Sequence, residues 1–140
     1  MEKHGVIMKK VIFVDDESLI VQSFSQLIEM EEVEDKVSVE TFTSKSCGKD
    51  TLKWVESNKP DIAVFDLILN GVSGIDIANK IMRDYPECKI IFLTGCEGTS
   101  GSVLKVNEMM EKKPDLMYYN KLDDNWYEEI VTYIIEQAND

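Results

Sequence analysis

The stretch Pro60-Asp61-Ile62-Ala63-Val64-Phe65-Asp66-Leu67-Ile68-Leu69-Asn70-Gly71 constrains the chain more than any other. Its apolar run has strand length and ends in one carboxylate, Asp66, while Gly71 and Gly74 follow in what reads as a tight, polar turn. An earlier run, Val11-Ile12-Phe13-Val14, ends in the same way in Asp15 and Asp16. If the two strands are parallel neighbours, three carboxylates meet at the carboxyl edge of one sheet, where open α/β folds place their sites.

The remaining chain supplies the elements that such a sheet needs. Residues 10–15 read as a first buried strand, and Ser18 is positioned to cap a helix whose Ile20, Phe24, Leu27 and Ile28 recur on one face. The acidic stretch from Glu29 to Asp35 ends that helix. Val37, Val39 and Thr41-Phe42 predict a short second strand. Lys49 to Asn58 predict a weaker helix anchored by Leu52 and Val55, with Trp54 half exposed. After the third strand, Ile62 to Phe65, a helix carries Ile75, Ala78, Ile81 and Met82 and stops before Pro86. Lys89 to Thr94 read as a fourth strand, and Gly95 to Ser102 as a turn-rich, mobile connection. A helix with Val103, Val106 and Met110, a fifth strand from Leu116 to Asn120, and a last helix with Trp126, Ile130, Val131 and Ile134 complete the order. Five βα units imply right-handed crossovers and a flavodoxin-like, doubly wound α/β fold: a five-stranded parallel sheet with five helices, in a single domain.

Composition narrows the functional classes. At 140 residues, with 44% hydrophobic and 30% charged residues, the chain can bury a core without disulfides or a structural metal. Its 27 acids against 15 Lys plus Arg give a net charge of -12, which opposes direct binding to nucleic acid or an anionic membrane and favours basic surfaces or cations. Cys47, Cys88 and Cys96 form no CxxC pair, consistent with a reducing, cytoplasmic setting. The lone histidine, His4, lies in residues 1–8, a leader or an alternative start at Met8, so a histidine-dependent triad or a multi-histidine metal site is excluded.

The chemistry lies at the strand ends: Asp15 and Asp16 after the first, Asp66 after the third, Thr94 after the fourth and Lys121 after the fifth. Each has a plainer reading. Asp15-Asp16-Glu17 can complement a helix dipole, Asp66 can initiate a turn, Thr94 can be a turn residue and Lys121 a solvated charge. Together on one edge they form a site. Clustered carboxylates raise each other's proton affinity unless a cation joins them, and Mg2+ suits an all-oxygen set that leaves room for phosphate. Lys121 offers a point charge to a phosphoryl oxygen, Thr94 a hydroxyl, and a carboxylate not engaged with metal can act as nucleophile.

In this order, Asp-Asp, Asp, Thr, Lys on successive strand ends, the chain resembles a response-regulator receiver domain of two-component signalling, over residues 9–138. The resemblance implies that Asp66 accepts a phosphoryl group from the phosphohistidine of a sensor kinase or phosphotransfer protein. It implies that Asp15, Asp16, Asp66 and the backbone carbonyl of Ile68 hold Mg2+, and that Thr94 and Lys121 contact the phosphoryl group. Thr94 and Tyr118 would form the switch, and Gly74 matches the glycine that ends the loop after the phosphoacceptor. The output would be a protein-binding face built from the fourth helix, fifth strand and fifth helix, with phosphorylation-linked homodimerisation as one form of it. Such a protein is a phosphorylated switch rather than a turnover enzyme, and no output domain is expected within these residues.

Three positions depart from the family pattern. Asn70 and Leu122 replace prolines, the second of which often follows the lysine through a cis bond, and Gly95 stands where alanine is common. A non-proline cis bond costs about 2.5 to 4 kcal/mol, which leaves the Lys121-Leu122 geometry open. These changes keep alive a degenerate receiver that signals without phosphate. A flavodoxin-like FMN carrier is the other alternative, suggested by Thr94 to Thr99 but opposed by acids after the first strand, which repel phosphate. An aspartyl-phosphate phosphatase would need a second acid two positions after Asp66, where Ile68 stands.

Overall fold

A computed structural model describes residues 8–69, 71–95 and 101–139, with side chains from residue 104 onward in the last segment. The elements in chain order are β1 (Lys9–Val14), α1 (Ser18–Met30), β2 (Val37–Phe42), α2 (Cys47–Trp54), β3 (Ile62–Asp66), β4 (Ile68–Leu69), β5 (Val72–Ser73), α3 (Gly74–Asp84), β6 (Lys89–Thr94), α4 (Gly101–Lys112), β7 (Met117–Asn120) and α5 (Trp126–Ala138). Five strands form one parallel sheet in the order β2-β1-β3-β6-β7, and β4 and β5 form a separate antiparallel pair. The expected doubly wound architecture is therefore present.

Alternation along the central strands splits the core into two layers. Ile12, Val14, Ala63, Phe65, Ile90 and Phe92 face α2, α3 and α4, and join Ile77, Ala78, Ile81 and Val106 in one cluster. Val11, Phe13, Ile62, Val64, Ile91 and Leu93 face the other way and meet Val21, Phe24 and Ile28 of α1 and Trp126, Ile130, Val131 and Ile134 of α5. A strand buried on both faces cannot alternate apolar with polar residues, which is why β1, β3 and β6 read as continuous apolar runs. The aromatic anchors differ between layers: Phe13 and Phe24 stack with centroids 4.1 Å apart, whereas Phe65 and Phe92 meet edge to face at 5.2 Å.

Several boundaries depart from the sequence reading, each for a local reason. Ser18 is the first helical residue rather than the cap; Glu17 is the N-cap, without a side-chain cap bond, and its carbonyl accepts from the amides of Ile20 and Val21. Helix α2 begins at Cys47, two residues before Lys49, and ends at Trp54 rather than Asn58, whose amide side chain instead donates to the Trp54 carbonyl. Val55 is buried as expected, but Leu52 is only half-buried, and Cys47 and Thr51 supply the rest of the inner face. In α4, Met109 is buried and Met110 half-buried, the reverse of the emphasis given by spacing alone. The turn after Asp66 is a two-stranded hairpin, with Gly71 at φ 78°, a conformation that glycine adopts without a Cβ penalty. The expectations for residues 1–7, Asn70, Cys96, the 96–100 connection and the Val103 side chain fall outside the described residues.

At the edge away from the strand ends, Lys113 is 8% exposed. Its ammonium donates to the Pro86 carbonyl at 3.1 Å and pairs with Asp115 at 3.2 Å, while Lys89 pairs with the other oxygen of Asp115 at 2.9 Å.

The stacked ring of Phe24 joins α1 to the centre of the sheet, so Phe24→Ala should lower unfolding stability by roughly 3 to 5 kcal/mol, measured by urea denaturation. A loss below about 1 kcal/mol would mean that this layer does not hold the fold.

Candidate functional site

The winding of the sheet decides where the functional side chains meet. From β1 the chain goes outward to β2, then crosses back to β3 on the other side of β1, so the carboxyl ends of β1 and β3 flank the crevice of a topological switch point. In register, Val14 lies opposite Phe65, so Asp15 and Asp66 are the next residues along two adjacent strands. Asp15 is fully buried and Asp66 is 7% exposed.

Each carboxylate is held by the backbone just after it. Asp15 accepts from the amide of Glu17 at 2.9 Å, and Asp66 accepts from the amide of Ile68 at 2.9 Å. The second oxygen of each faces Lys121, whose ammonium lies 3.1 Å from Asp15 Oδ2 and 2.5 Å from Asp66 Oδ2. Lys121 reaches this position from the end of β7, where its amide donates to the Thr94 carbonyl at 2.7 Å. The peptide bond to Leu122 is trans, like all peptide bonds among the described residues, and the Leu122 amide is taken up by Asn120 Oδ1 at 2.8 Å. Loss of the family proline therefore leaves the lysine within bonding distance of both acids.

Burial and charge pull against each other here. Desolvation raises the Asp15 carboxyl above its ordinary range, outweighing the Glu17 amide and the Lys121 charge that favour its ionised form. For Lys121, desolvation acts to lower the pKa, but the hydrogen bond and charge of Asp66, followed by Asp15, reverse this and hold the ammonium above its ordinary value.

The loop after Asp66 is fixed by close packing. A Cβ at Gly74 would sit 2.3 Å from the Asp66 carbonyl oxygen and 2.9 Å from Leu67 Cα, and the Gly74 amide donates to the Leu67 carbonyl at 2.8 Å. Only glycine lets α3 start that close to β3. Ser73 then caps α3 by accepting from the Ile75 amide at 3.1 Å.

The sequence-derived site residues separate into two groups. Asp15, Asp66 and Lys121 are bonded together, and Thr94 is buried at the adjoining end of β6. Asp16 stands exposed at the rim, and among the described residues no three His, Cys, Asp or Glu side chains are gathered as a metal-holding group. Tyr118 lies half-buried on β7 opposite Phe92, packed against the cluster that includes α4. Ile68 is 54% exposed beside Asp66.

Two contributors escaped the sequence reading. Glu17 approaches the Lys121 ammonium at 3.4 Å, and Tyr127 donates to the Ile20 carbonyl at 3.1 Å, tying the start of α5 to α1 beside the site. The acid following Asp16 was visible, but its reach across to Lys121 depends on a contact 104 residues distant in the chain. Cys47 and Cys88, by contrast, are buried thiols pushed up by desolvation to about 11 and about 12, unsuited to nucleophilic work.

The donor set can be tested against the divalent cation expected from sequence. It consists of oxygens alone, and Asp15 and Asp66 already share one cation, the lysine ammonium. That chemistry fits a small hard ion such as Mg2+. Asp16 and the Ile68 carbonyl are the further oxygens available next to these two.

Comparison with known proteins agrees with this geometry. Residues 11–116 match the family described as the response regulator receiver domain. Among curated proteins, the response regulator GacA of Pseudomonas aeruginosa is 29% identical over 90 residues, 64% of this chain and 40% of that protein. The response regulator UvrY of Escherichia coli K12 is 31% identical over 87 residues, 62% of this chain and 38% of that protein. The chain thus spans well under half the length of these relatives. Among solved structures, the BeF3-activated DrrB receiver domain has a TM-score of 0.70 at 23% identity, covering 95% of this chain and 98% of its own. A CheY-like receiver-domain protein from Methanospirillum hungatei JF-1 has a TM-score of 0.67 at 22% identity, with 95% of both chains covered. The structural likenesses establish the fold, and the family match over residues 11–116 establishes the rest: this chain belongs to the receiver domains of two-component response regulators.

Proposed function

We propose that this receiver domain is a phosphorylated switch in which Asp66 takes a phosphoryl group from a phosphohistidine on a sensor kinase or phosphotransfer protein. The observation that carries this reading is the Lys121 ammonium bridging Asp15 and Asp66 at the switch point. An Asp66 carboxylate oxygen bonds to phosphorus as the phosphorus–nitrogen bond of the donor breaks, and the donor imidazole departs with the electron pair and takes up a proton. Lys121 neutralises charge on the transferring group and Thr94 offers a hydroxyl to its oxygens, so the protein contributes position and electrostatics. Asp15, Asp16, Asp66 and the Ile68 carbonyl would hold Mg2+, which when bound supplies positive charge to the phosphoryl oxygens. The family match does not favour the FMN alternative. The setting that suits this exchange is the cytoplasm, and no helix among the described residues is long and apolar enough to cross a membrane.

The signal leaves through packing. A phosphate of about -1.5 to -2 charges draws Thr94 and Lys121 inward, and the ring of Tyr118 follows into the vacated space. This repacks the face of α4, β7 and α5 for a downstream protein or for a second copy of the domain. The balance needs only a few kcal/mol of difference between two arrangements.

Three outcomes test the reading. Incubation with a small acyl or amide phosphodonor and Mg2+ should add one phosphoryl group by intact mass, and either Asp66→Asn or excess chelator should abolish the addition. Undiminished uptake in the Asp66→Asn protein would remove the assignment. The exposed Ile68 borders the approach of a hydrolytic water, so Ile68→Asn or Ile68→Asp should change the decay of phosphoprotein at least twofold after donor removal; identical decay in both variants contradicts this placement.

The third outcome concerns Asp15. Its raised pKa means that the folded state holds the proton more readily than the unfolded state. The destabilisation is therefore absent below the ordinary carboxylate range, near 3.8, and complete once pH exceeds the folded-state value. In metal-free protein, Asp15→Asn should raise the thermal midpoint at pH 7, with the gain shrinking toward pH 3.5. Added Mg2+ should raise the midpoint of the parent protein more than that of the variant. A parent protein more stable than the variant at pH 7 without metal would show that ion pairing, not desolvation, dominates at Asp15.

A further inference from the structure

The charges of this molecule are segregated between its two helical layers. Residues 11–35, which build β1, α1 and the loop beyond it, contain no Lys or Arg, and neither do residues 122–140, which contain α5. The opposite layer carries Lys49 and Lys53 on α2, Lys80 and Arg83 on α3, and Lys105 and Lys112 on α4. Between α1 and α5 runs a groove of about 370 Å³ whose apolar lining is Leu27, Val131 and Ile135 and whose acidic lining is Glu31, Glu128 and Glu136. Val131 is buried, Leu27 and Ile135 are half-buried, and the three glutamates are exposed, which makes an apolar floor with carboxylates on both walls.

Nothing among the described residues balances those walls. Among the described residues none of the three glutamates has an ion-pair partner, and Lys36, the first cation after α1, donates to Asn139 Oδ1 at 2.9 Å. The repulsion excludes several occupants. A second copy would bring the same acidic helices against these, and nucleic acid or an anionic membrane would be repelled as well. An extended basic segment without an apolar side would leave the floor wet. Glu128 and Glu136 stand two turns apart on α5, roughly 12 Å, the span over which a docked helix presents successive side chains. We propose that the α1/α5 groove is a docking site for a cationic amphipathic helix of a partner protein. Its apolar stripe seats on Leu27, Val131 and Ile135, and its Lys or Arg residues reach Glu31, Glu128 and Glu136. This surface shares α5 with the face of α4, β7 and α5, but it is completed by α1 on the other side of that helix, and the groove is present in the unphosphorylated chain.

The test uses the full chain, isotope-labelled for amide NMR, and three synthetic 14-residue peptides. One is a Leu/Lys peptide patterned as an amphipathic helix, the second has the same composition with the periodicity scrambled, and the third replaces Lys by Glu. The patterned Leu/Lys peptide should perturb amides around 27–31 and 128–136, bind at least tenfold more tightly than the scrambled one, and weaken as salt rises. The Leu/Glu peptide should not bind. Glu128→Gln with Glu136→Gln should weaken the patterned peptide at least tenfold, and Ile135→Ser at least fivefold with the unfolding midpoint checked alongside. Asp76→Asn with Glu111→Gln removes the same amount of charge from the other layer and should leave affinity within twofold. Equal binding of the scrambled peptide, equal loss from the Asp76/Glu111 variant, or perturbations confined to the other layer would overturn the proposal and leave the face a solvated acidic surface.

Discussion

The arrangement of the site depends on one ammonium held between two carboxylates. Asp15 and Asp66 end adjacent strands, and both are removed from bulk water, so their charges would repel strongly without a partner. Lys121 supplies that partner from the end of β7, at the outer edge of the sheet, with Glu17 adding a weaker contact from the rim. The arrangement binds β1, β3 and β7 through charge as well as through the sheet. It also leaves the site net negative, with carboxylates outnumbering the one ammonium, and so suited to further positive charge.

The surrounding fold makes that arrangement rigid where it must be. Gly74 presses against the Asp66 carbonyl, the Ile68 amide holds one Asp66 oxygen, and the Glu17 amide holds one Asp15 oxygen. In both acids one oxygen is committed to the backbone and the other faces the Lys121 ammonium. Division of labour between the two oxygens of each carboxylate fixes side-chain direction and leaves the second oxygen of each to Lys121.

Much of this was legible in the sequence because the physics is local or periodic. Continuous apolar runs in β1, β3 and β6 announce strands buried on both faces, and the carboxylates terminating two of them stand out against any packing role. The lysine on the last strand was legible by order along the chain. Other features depend on distance rather than pattern. The β4/β5 hairpin contains two residues per strand, too few to show alternation, and Glu17 as a partner of Lys121 has no local signature. Ser18 has the residue type of a cap, but Glu17 fills the position because its amide is already turned toward Asp15. The reversed burial of Met109 and Met110 reflects how α4 rotates on the sheet, which spacing in a helix with few apolar residues does not determine.

The buried Lys113 gives α4 a mechanical character. The helix runs from Gly101 to Lys112, 12 residues or roughly 18 Å, and the lysine just past its end is moored to the Pro86 carbonyl and to Asp115. Asp115 is in turn moored to Lys89 at the start of β6. α4 is thus fastened at the sheet's amino edge, a fulcrum for the arm that extends toward the carboxyl edge where Thr94 lies. A tilt of about 10° about that fulcrum moves the far tip of such a helix by roughly 3 Å while its moored end stays in place. A tilt of this kind would concentrate displacement at the end of α4 nearest the charged site, with the amino edge of the sheet as its frame.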